Sequence, residues 1–445
     1  MKRYGYLAAG IILTAAGALS AQETAIEAAV NEIASSVSAE RMAVDIRTLS
    51  GFHTRHTFSD TLSETRGVGA ARRWLYRELQ KISAATGGRM NVYYDRFEQS
   101  IPERYRESAG KDILRTANVV AVIPGMRSRR MLIITGHYDS RNETAADNIG
   151  YAPGANDDAS GIAALLELAR IFAGRTIDNT LVLAAVTGEE QGLYGSTHMA
   201  EDAVTNNLQV EGVITNDMIG NTEGGNGHRD NTLLRCFSAD PADSPSRHLA
   251  RYIEAVIDRY YPPLTLKMIF RLDRFGRGGD HAPFVRAGFA GVRFTEPWEN
   301  YRIQHSGLDV PALVDTAYLQ RTAGLNAAVA WYWSMSPAPP LVVSVSRTDD
   351  YRTVVSFTCE EPPERVKGFI LRIRETDQLR WQENRLICDP EKAESRRRGP
   401  IFRISVDNRD MDYYIFGIAV VNEAGYESLT STYDRDLIRK TARSR

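Results

Sequence analysis

Between Met131 and Thr295 the chain alternates short, almost wholly apolar runs with stretches of helical periodicity, and no other feature limits its possible folds so tightly. MLIIT precedes a helical run starting at Ser160, TLVLAAVT precedes one starting near Gly195, GVITN is followed by one from Ser246 to about Tyr260, and GVRFT comes last. Alternation of this kind predicts an α/β fold with a mixed, largely parallel sheet flanked by helices. Ligands of such sheets gather beyond the carboxyl ends of the strands.

The flanking segments divide the rest. Residues from Ala25 to about Ser63 read as mostly helical, VGAARRWLYRELQKISAATGG as a helix ending near Gly87 and Gly88, and MNVYYDRFEQS and TANVVAVIPG as strands able to form a hairpin. A helix from Leu313 to about Trp333 closes the α/β region, and Ser336-Pro-Ala-Pro-Pro340 is a stiff linker. Beyond it LVVSVSRT, RTVVSFTC, VKGFILRIRE, IFRISV and YYIFGIAVVN alternate apolar and polar residues between turns, the pattern of an all-β sandwich. At the other end Lys2 and Arg3, the run LAAGIILTAAGAL and Ser20-Ala21 read as a secretory signal cleaved after Ala21, the apolar run being too short to span a bilayer. The expected organisation is a signal peptide over 1–21, the α/β domain over 22–335, the linker over 336–340, the sandwich over 341–435 and a tail over 436–445.

An exported protein, periplasmic or extracellular and without a membrane span in its mature form, is the resulting expectation. A formal net charge of −2 gives no support for nucleic-acid binding. Three cysteines are too few for a disulfide framework, although Cys359 and Cys388 could pair in an oxidising compartment, while Cys236 reads as buried and unpaired.

Metal-binding residue types follow each strand. MLIIT runs into His137 and Asp139, TLVLAAVT into Glu189 and Glu190, GVITN into Asp217, and His305 lies after GVRFT. The octet GANDDASG places Asp157 and Asp158 just ahead of the helix that Ser160 can N-cap. Each local pattern is weak alone, since acidic residues before a helix also favour the positive end of its dipole. A parallel sheet would bring them to one rim, where a mixed set of carboxylates and imidazoles suits zinc, and a carboxylate such as Asp157 can bridge two ions. Asp139, two positions beyond His137 on an extended segment, could accept the second N–H of that ring.

GHYDS, GANDDASG, GEEQGLYGS, NDMIG and the late QHS together resemble the zinc aminopeptidase family of the di-zinc exopeptidases, of the M28 type, over roughly Ser63 to Trp333. The resemblance implies two zinc ions, one held by His137, Asp217 and bridging Asp157, the other by Glu190, His305 and Asp157. It implies that Glu189 is the general base for a metal-activated water attacking a peptide carbonyl, and that Asp157 and Asp158 are joined by a cis peptide. Peptides with a free N-terminus are the implied substrates. Tyr414 to Ser428, YIFGIAVVNEAGYES, resembles the late strand and turn of a fibronectin type III domain.

The sequence departs from the family where Gln304 precedes His305, a place at which many members carry a tyrosine for the developing oxyanion, leaving Tyr138 or Tyr301 as substitutes. His281, after Asp280 in RGGDHAPF, is expected near the site, with a structural hydrogen bond at least as good a reading as catalysis. Other readings keep the fold: a di-zinc carboxypeptidase, for which Arg293 and Arg302 are candidates to bind a free carboxylate, a single-zinc enzyme resembling glutaminyl cyclase, or a metal-free binding protein.

Overall fold

The computed structural model describes residues 6–393 and 400–434 of the 445-residue chain. Lys2, Arg3 and the expected tail over 436–445 lie outside the described residues, and the helix Tyr6–Ser35 runs through the expected cleavage position after Ala21. Among the described residues no helix is long and apolar enough to cross a membrane. The chain divides into two compact units, Val30–Ser334 and a second made of Met1–Ala29 with Met335–Arg445. Residues 22–29 therefore group with the C-terminal unit, where Gln22 Nε2 donates to the Glu423 carbonyl at 2.8 Å.

Val30–Ser334 is built on one mixed sheet. Its strands are β1 (Asn91–Ser100), β2 (Ile113–Ile123), β3 (Met131–His137), β4 (Thr180–Val186), β5 (Val210–Asn216), β6 (Leu233–Ser238), β7 (Thr265–Ile269) and β8 (Gly291–Thr295), in the order β1-β2-β4-β3-β5-β8-β6-β7. The four central strands β4, β3, β5 and β8 run parallel. β1 and β2 pair antiparallel as a wide hairpin whose connection carries the helix Glu103–Ala109, and β6 runs antiparallel to β8. Every position of β4 is buried, as a strand covered on both faces requires. On one face Ile133, Val182 and Val213 pack with Ala200 of the helix Tyr194–Thr205 and Phe284 of the helix His281–Arg286.

The helix Ala159–Phe172 packs against β3 and β4 and is buried along almost its whole length. Its close seat depends on Gly161, where a Cβ would lie 2.6 Å from the carbonyl oxygen of Asn216 and 2.5 Å from Asp158 Oδ2. The N-cap is Asp158, which accepts from Gly161 N at 2.9 Å, and not Ser160. Ser160 Oγ donates instead to the Asn156 carbonyl at 2.7 Å and accepts from Ile219 N at 3.1 Å, because it sits one residue inside the helix, facing the next strand end.

In the C-terminal unit the strands are β9 (Leu341–Arg347), β10 (Thr353–Thr358), β11 (Val366–Glu375), β12 (Glu383–Ile387), β13 (Glu391–Ala393), β14 (Ile401–Val406), β15 (Tyr414–Asn422) and β16 (Ser431–Thr432). They form two antiparallel sheets, β13-β14-β10-β9 and β12-β11-β15-β16. Val355 and Phe357 of the first share one core with Phe369, Ile373 and Ile418 of the second, the rings of Phe357 and Phe369 meeting edge to face at 4.8 Å. Cys359 and Cys388 do not pair, and Cys236 is free and buried.

Candidate metal centre

Register sets the site. His137 lies opposite Val186 and Thr135 lies opposite Thr215, so β3, β4 and β5 end almost level, and Glu189, Glu190 and Asp217 follow directly onto one rim. The turn carrying Asp157 enters the same rim from the start of the helix Ala159–Phe172, with a cis peptide between Asp157 and Asp158. His305 arrives on the loop after β8.

Asp157 stands between two sets of donors. Its Oδ1 lies 3.2 Å from His137 Nε2, which is itself 3.9 Å from Asp217 Oδ1. Its Oδ2 lies 3.1 Å from His305 Nε2, which is 3.2 Å from Glu190 Oε2. Within each set, His137 with Asp157 and Asp217 or Asp157 with Glu190 and His305, the donor atoms all fall within 4.8 Å of one another. The side chains fit a cation on a second count: among the described residues His137 Nε2 and Glu190 Oε1 are buried with no hydrogen-bond partner. Buried polar atoms of that kind need an explanation, and a coordinated ion supplies one.

Charge in the cluster is strongly perturbed. Burial would lower the pKa of His137, but Asp157 and Asp217 raise it well above the usual imidazole range. At His305 burial is again opposed, by Glu190 and Asp157, and the pKa rises to about 9. Burial would raise Asp157, yet His137 and His305 hold it well below the carboxylate range. Two imidazoles pulled toward the charged form by surrounding carboxylates show a site rich in negative potential, the condition a cation relieves.

Supporting side chains hold these groups in place. Nδ1 of His137 faces the backbone carbonyl of Asp139 at 3.2 Å, which assigns the N–H of a neutral ring to that nitrogen and leaves Nε2 to the cluster. The Asp139 carboxylate is farther from Nδ1, at 3.8 Å, because it is drawn to the turn after β4. It accepts from Gly188 N at 2.9 Å, Glu190 N at 3.2 Å and Glu189 N at 3.4 Å, and from Thr57 Oγ1 at 3.1 Å. Asp139 therefore positions the turn that carries Glu189 and Glu190, with Gly188 at φ +75° as its sharp entry. Asp158 ties two strand ends to the helix it caps, through His137 N at 3.0 Å at the end of β3, Met218 N at 3.3 Å after β5 and Gly161 N at 2.9 Å in the first helical turn. Asp309 accepts from Asn156 N and Asp157 N, each at 2.9 Å.

Glu189 belongs to neither donor set and faces the pocket of about 290 Å³ that opens over the rim. Desolvation by the surrounding protein pushes its carboxyl well above the usual range, against the pull of His137. Neither tyrosine expected as an oxyanion donor lines this pocket: Tyr138 is fully buried with its hydroxyl on the Ala117 carbonyl at 2.7 Å, and exposed Tyr301 lines a separate cavity. Tyr105, from the helix between β1 and β2, lines it instead. His281 lies outside the lining, its Nε2 on the Leu272 carbonyl at 2.6 Å and its pKa lowered by burial to about 4.

The arginines expected near a substrate carboxylate are placed elsewhere. Arg293 is fully buried between Asp217 Oδ2 at 3.0 Å and Asp273 Oδ1 at 2.9 Å, and Arg302 lines the cavity of Tyr301. Sequence reasoning missed Arg141, whose Nε lies 3.1 Å from Glu190 Oε2 and whose Nη2 bonds His305 Nδ1 at 2.5 Å, and it missed Asp309. Both sit in loops without periodicity, so no local pattern marked them.

Residues 118–330 match the model of peptidase family M28. A probable zinc metalloprotease of Leptosphaeria maculans is 38% identical over 356 residues, 74% of this chain and 80% of that protein, and one of Pyricularia oryzae is 35% identical over 91% of this chain and 83% of its own length. The chain belongs to peptidase family M28. The family M28 fold recurs in the LapA aminopeptidase of Legionella pneumophila, with a TM-score of 0.55 at 20% identity over 68% of this chain and 73% of that one. Glutaminyl cyclase of Macrostomum lignano also shares it, with a TM-score of 0.52 at 15% identity over 68% of this chain and 91% of that one.

Proposed function

We propose that the chain is a zinc-dependent aminopeptidase that removes the first residue of peptides with a free N-terminus, with Glu189 as general base. The observation that carries the two-zinc part of this reading is the division of Asp157 between two donor sets, Oδ1 toward His137 and Oδ2 toward His305, and the aminopeptidase part rests on the resemblance carried by GHYDS, GANDDASG, GEEQGLYGS, NDMIG and QHS. His137, Asp157 and Asp217 would hold one zinc, and Asp157, Glu190 and His305 a second. When bound, the ions supply Lewis-acid polarisation of a carbonyl oxygen and acidification of water.

The chain's own residues do the rest. Glu189, held at the pocket by the grip of Asp139 on its backbone, takes a proton from the attacking water and returns it to the amine nitrogen as the C–N bond breaks. Relatives named as zinc metalloproteases support the metal and the reaction class. The reading includes export, on the strength of the apolar run after Lys2 and Arg3, and a fibronectin type III-like C-terminal unit, on the strength of YIFGIAVVNEAGYES.

A carboxypeptidase is the second reading, favoured by the guanidinium groups of Arg104, Arg141, Arg274 and Arg277 around the same pocket.

Metal analysis tests the two-ion reading. Chelated protein is expected to lose peptide hydrolysis, and zinc is expected to restore it at about two ions per chain. Hydrolysis that survives complete chelation contradicts the proposal. Saturation at one ion, with pyroglutamate formed from a peptide beginning in glutamine, moves the assignment to a cyclising acyltransferase.

A further inference from the structure

The charged groups around the pocket are unevenly committed. Its carboxylates, among the described residues, are Asp157, Glu189, Glu190 and Asp217, each already a candidate ligand or the base. Its other charged side chains, apart from His305, are four arginines. No carboxylate remains to pair with a positively charged substrate side chain.

Two of the arginines are held by the protein. Arg141 pairs with Glu190, and Arg274 pairs with Asp273 at 3.1 Å and with Glu299. The other two are not satisfied in this way. Glu299 also takes Arg235 at 2.8 Å, so Arg277, at 3.7 Å from Glu299 and 3.4 Å from Gln304 Oε1, is the third guanidinium on one carboxylate. Arg104 is exposed, lies over the ring of Tyr105 at 4.8 Å, and makes no ion pair among the described residues.

We propose that this pocket takes a substrate carboxylate next to the scissile bond, recognised by Arg104 and Arg277. The inference rests on the peptidase reading and narrows its substrates to peptides with an acidic group at that place. A guanidinium offers paired N–H donors that match a carboxylate and fail to match its amide isostere, so the charge difference becomes a difference in rate. The carboxylate can come from the first side chain, the second side chain or the chain terminus.

Three matched pairs of peptides separate these sources with zinc-loaded protein: Glu-Ala-Leu against Gln-Ala-Leu, Leu-Glu-Leu against Leu-Gln-Leu, and Leu-Leu against its C-terminal amide. One pair is expected to show kcat/KM higher by about tenfold or more for the charged member, the size of a hydrogen-bonded charge. That ratio is expected to fall by about tenfold in the R104Q/R277Q double variant and to recover in part in R104K/R277K. Calorimetry gives a reading independent of turnover: glutarate should bind more tightly than butyrate, whose single carboxylate controls for binding at the metals, and the R104Q/R277Q variant should erase the difference. Cleavage with no charged member preferred, or a preference untouched by the double variant, overturns the inference and leaves the peptidase reading intact. Absence of cleavage with the glutarate preference present and lost in the double variant supports the inference and sinks the peptidase reading, while absence of both sinks both.

Discussion

Glu189→Ala is expected to lower peptide hydrolysis by about 10²- to 10⁴-fold, the usual contribution of a positioned acid–base group, with the zinc content of the protein unchanged. The expectation follows from geometry. Glu189 shares the rim with the donor sets but belongs to neither, and it lines the pocket that opens over them. Its backbone is anchored by Asp139 Oδ1, so truncation removes the carboxylate without releasing the turn that carries Glu190. The test is turnover of a short unblocked peptide alongside elemental analysis of the same sample. Loss of zinc together with activity would make Glu189 a metal-binding residue, and activity within about threefold of wild type would remove it from the mechanism.

Arg293→Met is expected to destabilise the metal-free protein by about 3–5 kcal/mol, the cost of leaving a buried charge without its partner. Arg293 is fully buried on β8 and holds Asp217 on one side and Asp273 on the other. Burial alone would lower its pKa, but Asp217 and Asp273 raise it. Burial would likewise raise Asp217, and Arg293 with His137 hold that carboxylate well below its usual range. Methionine fills much of the same space and supplies no charge, so two buried carboxylates lose their shared counter-ion. Urea midpoints of chelated wild type and variant measure the effect, and a loss under about 1 kcal/mol would mean that the pair is solvated and contributes little.

Much of this arrangement was legible before the structure, for reasons that lie in particular residues. TLVLAAVT and MLIIT declare themselves as buried strands because both faces of the sheet are covered at β3 and β4, and the groups that follow them inherit a common rim from the parallel register. β6 and β7 were not read, because TLKMI is the edge strand, with exposed Thr265 and Lys267, and LLRCFS beside it mixes buried with half-buried positions, patterns too short to separate from a loop. The helix Glu103–Ala109 escaped because seven residues give barely two turns of periodicity.

In the site, residue types at strand ends pointed to His137, Glu189, Glu190 and Asp217, whereas tertiary placement decided what their neighbours do. Asp139 was expected to hold the His137 ring through its carboxylate, yet three backbone N–H groups of the turn after β4 attract that carboxylate more strongly, and only the register of β3 beside β4 brings them within reach. The pocket arginines come from a short helix and from loops far apart in sequence, Arg104 and Arg141 on one side of the chain order and Arg274 and Arg277 on the other, so no spacing could have joined them.

The most direct test of the account is mass spectrometry of a mixed peptide set, free or blocked at either end, after incubation with zinc-loaded protein and with Glu189→Ala. Loss of single residues from free N-termini by the wild type, absent in the variant and absent from N-blocked peptides, is the result the account predicts. Cleavage confined to free C-termini would contradict the aminopeptidase assignment and move it to a carboxypeptidase, and equal cleavage by both proteins would contradict the role given to Glu189.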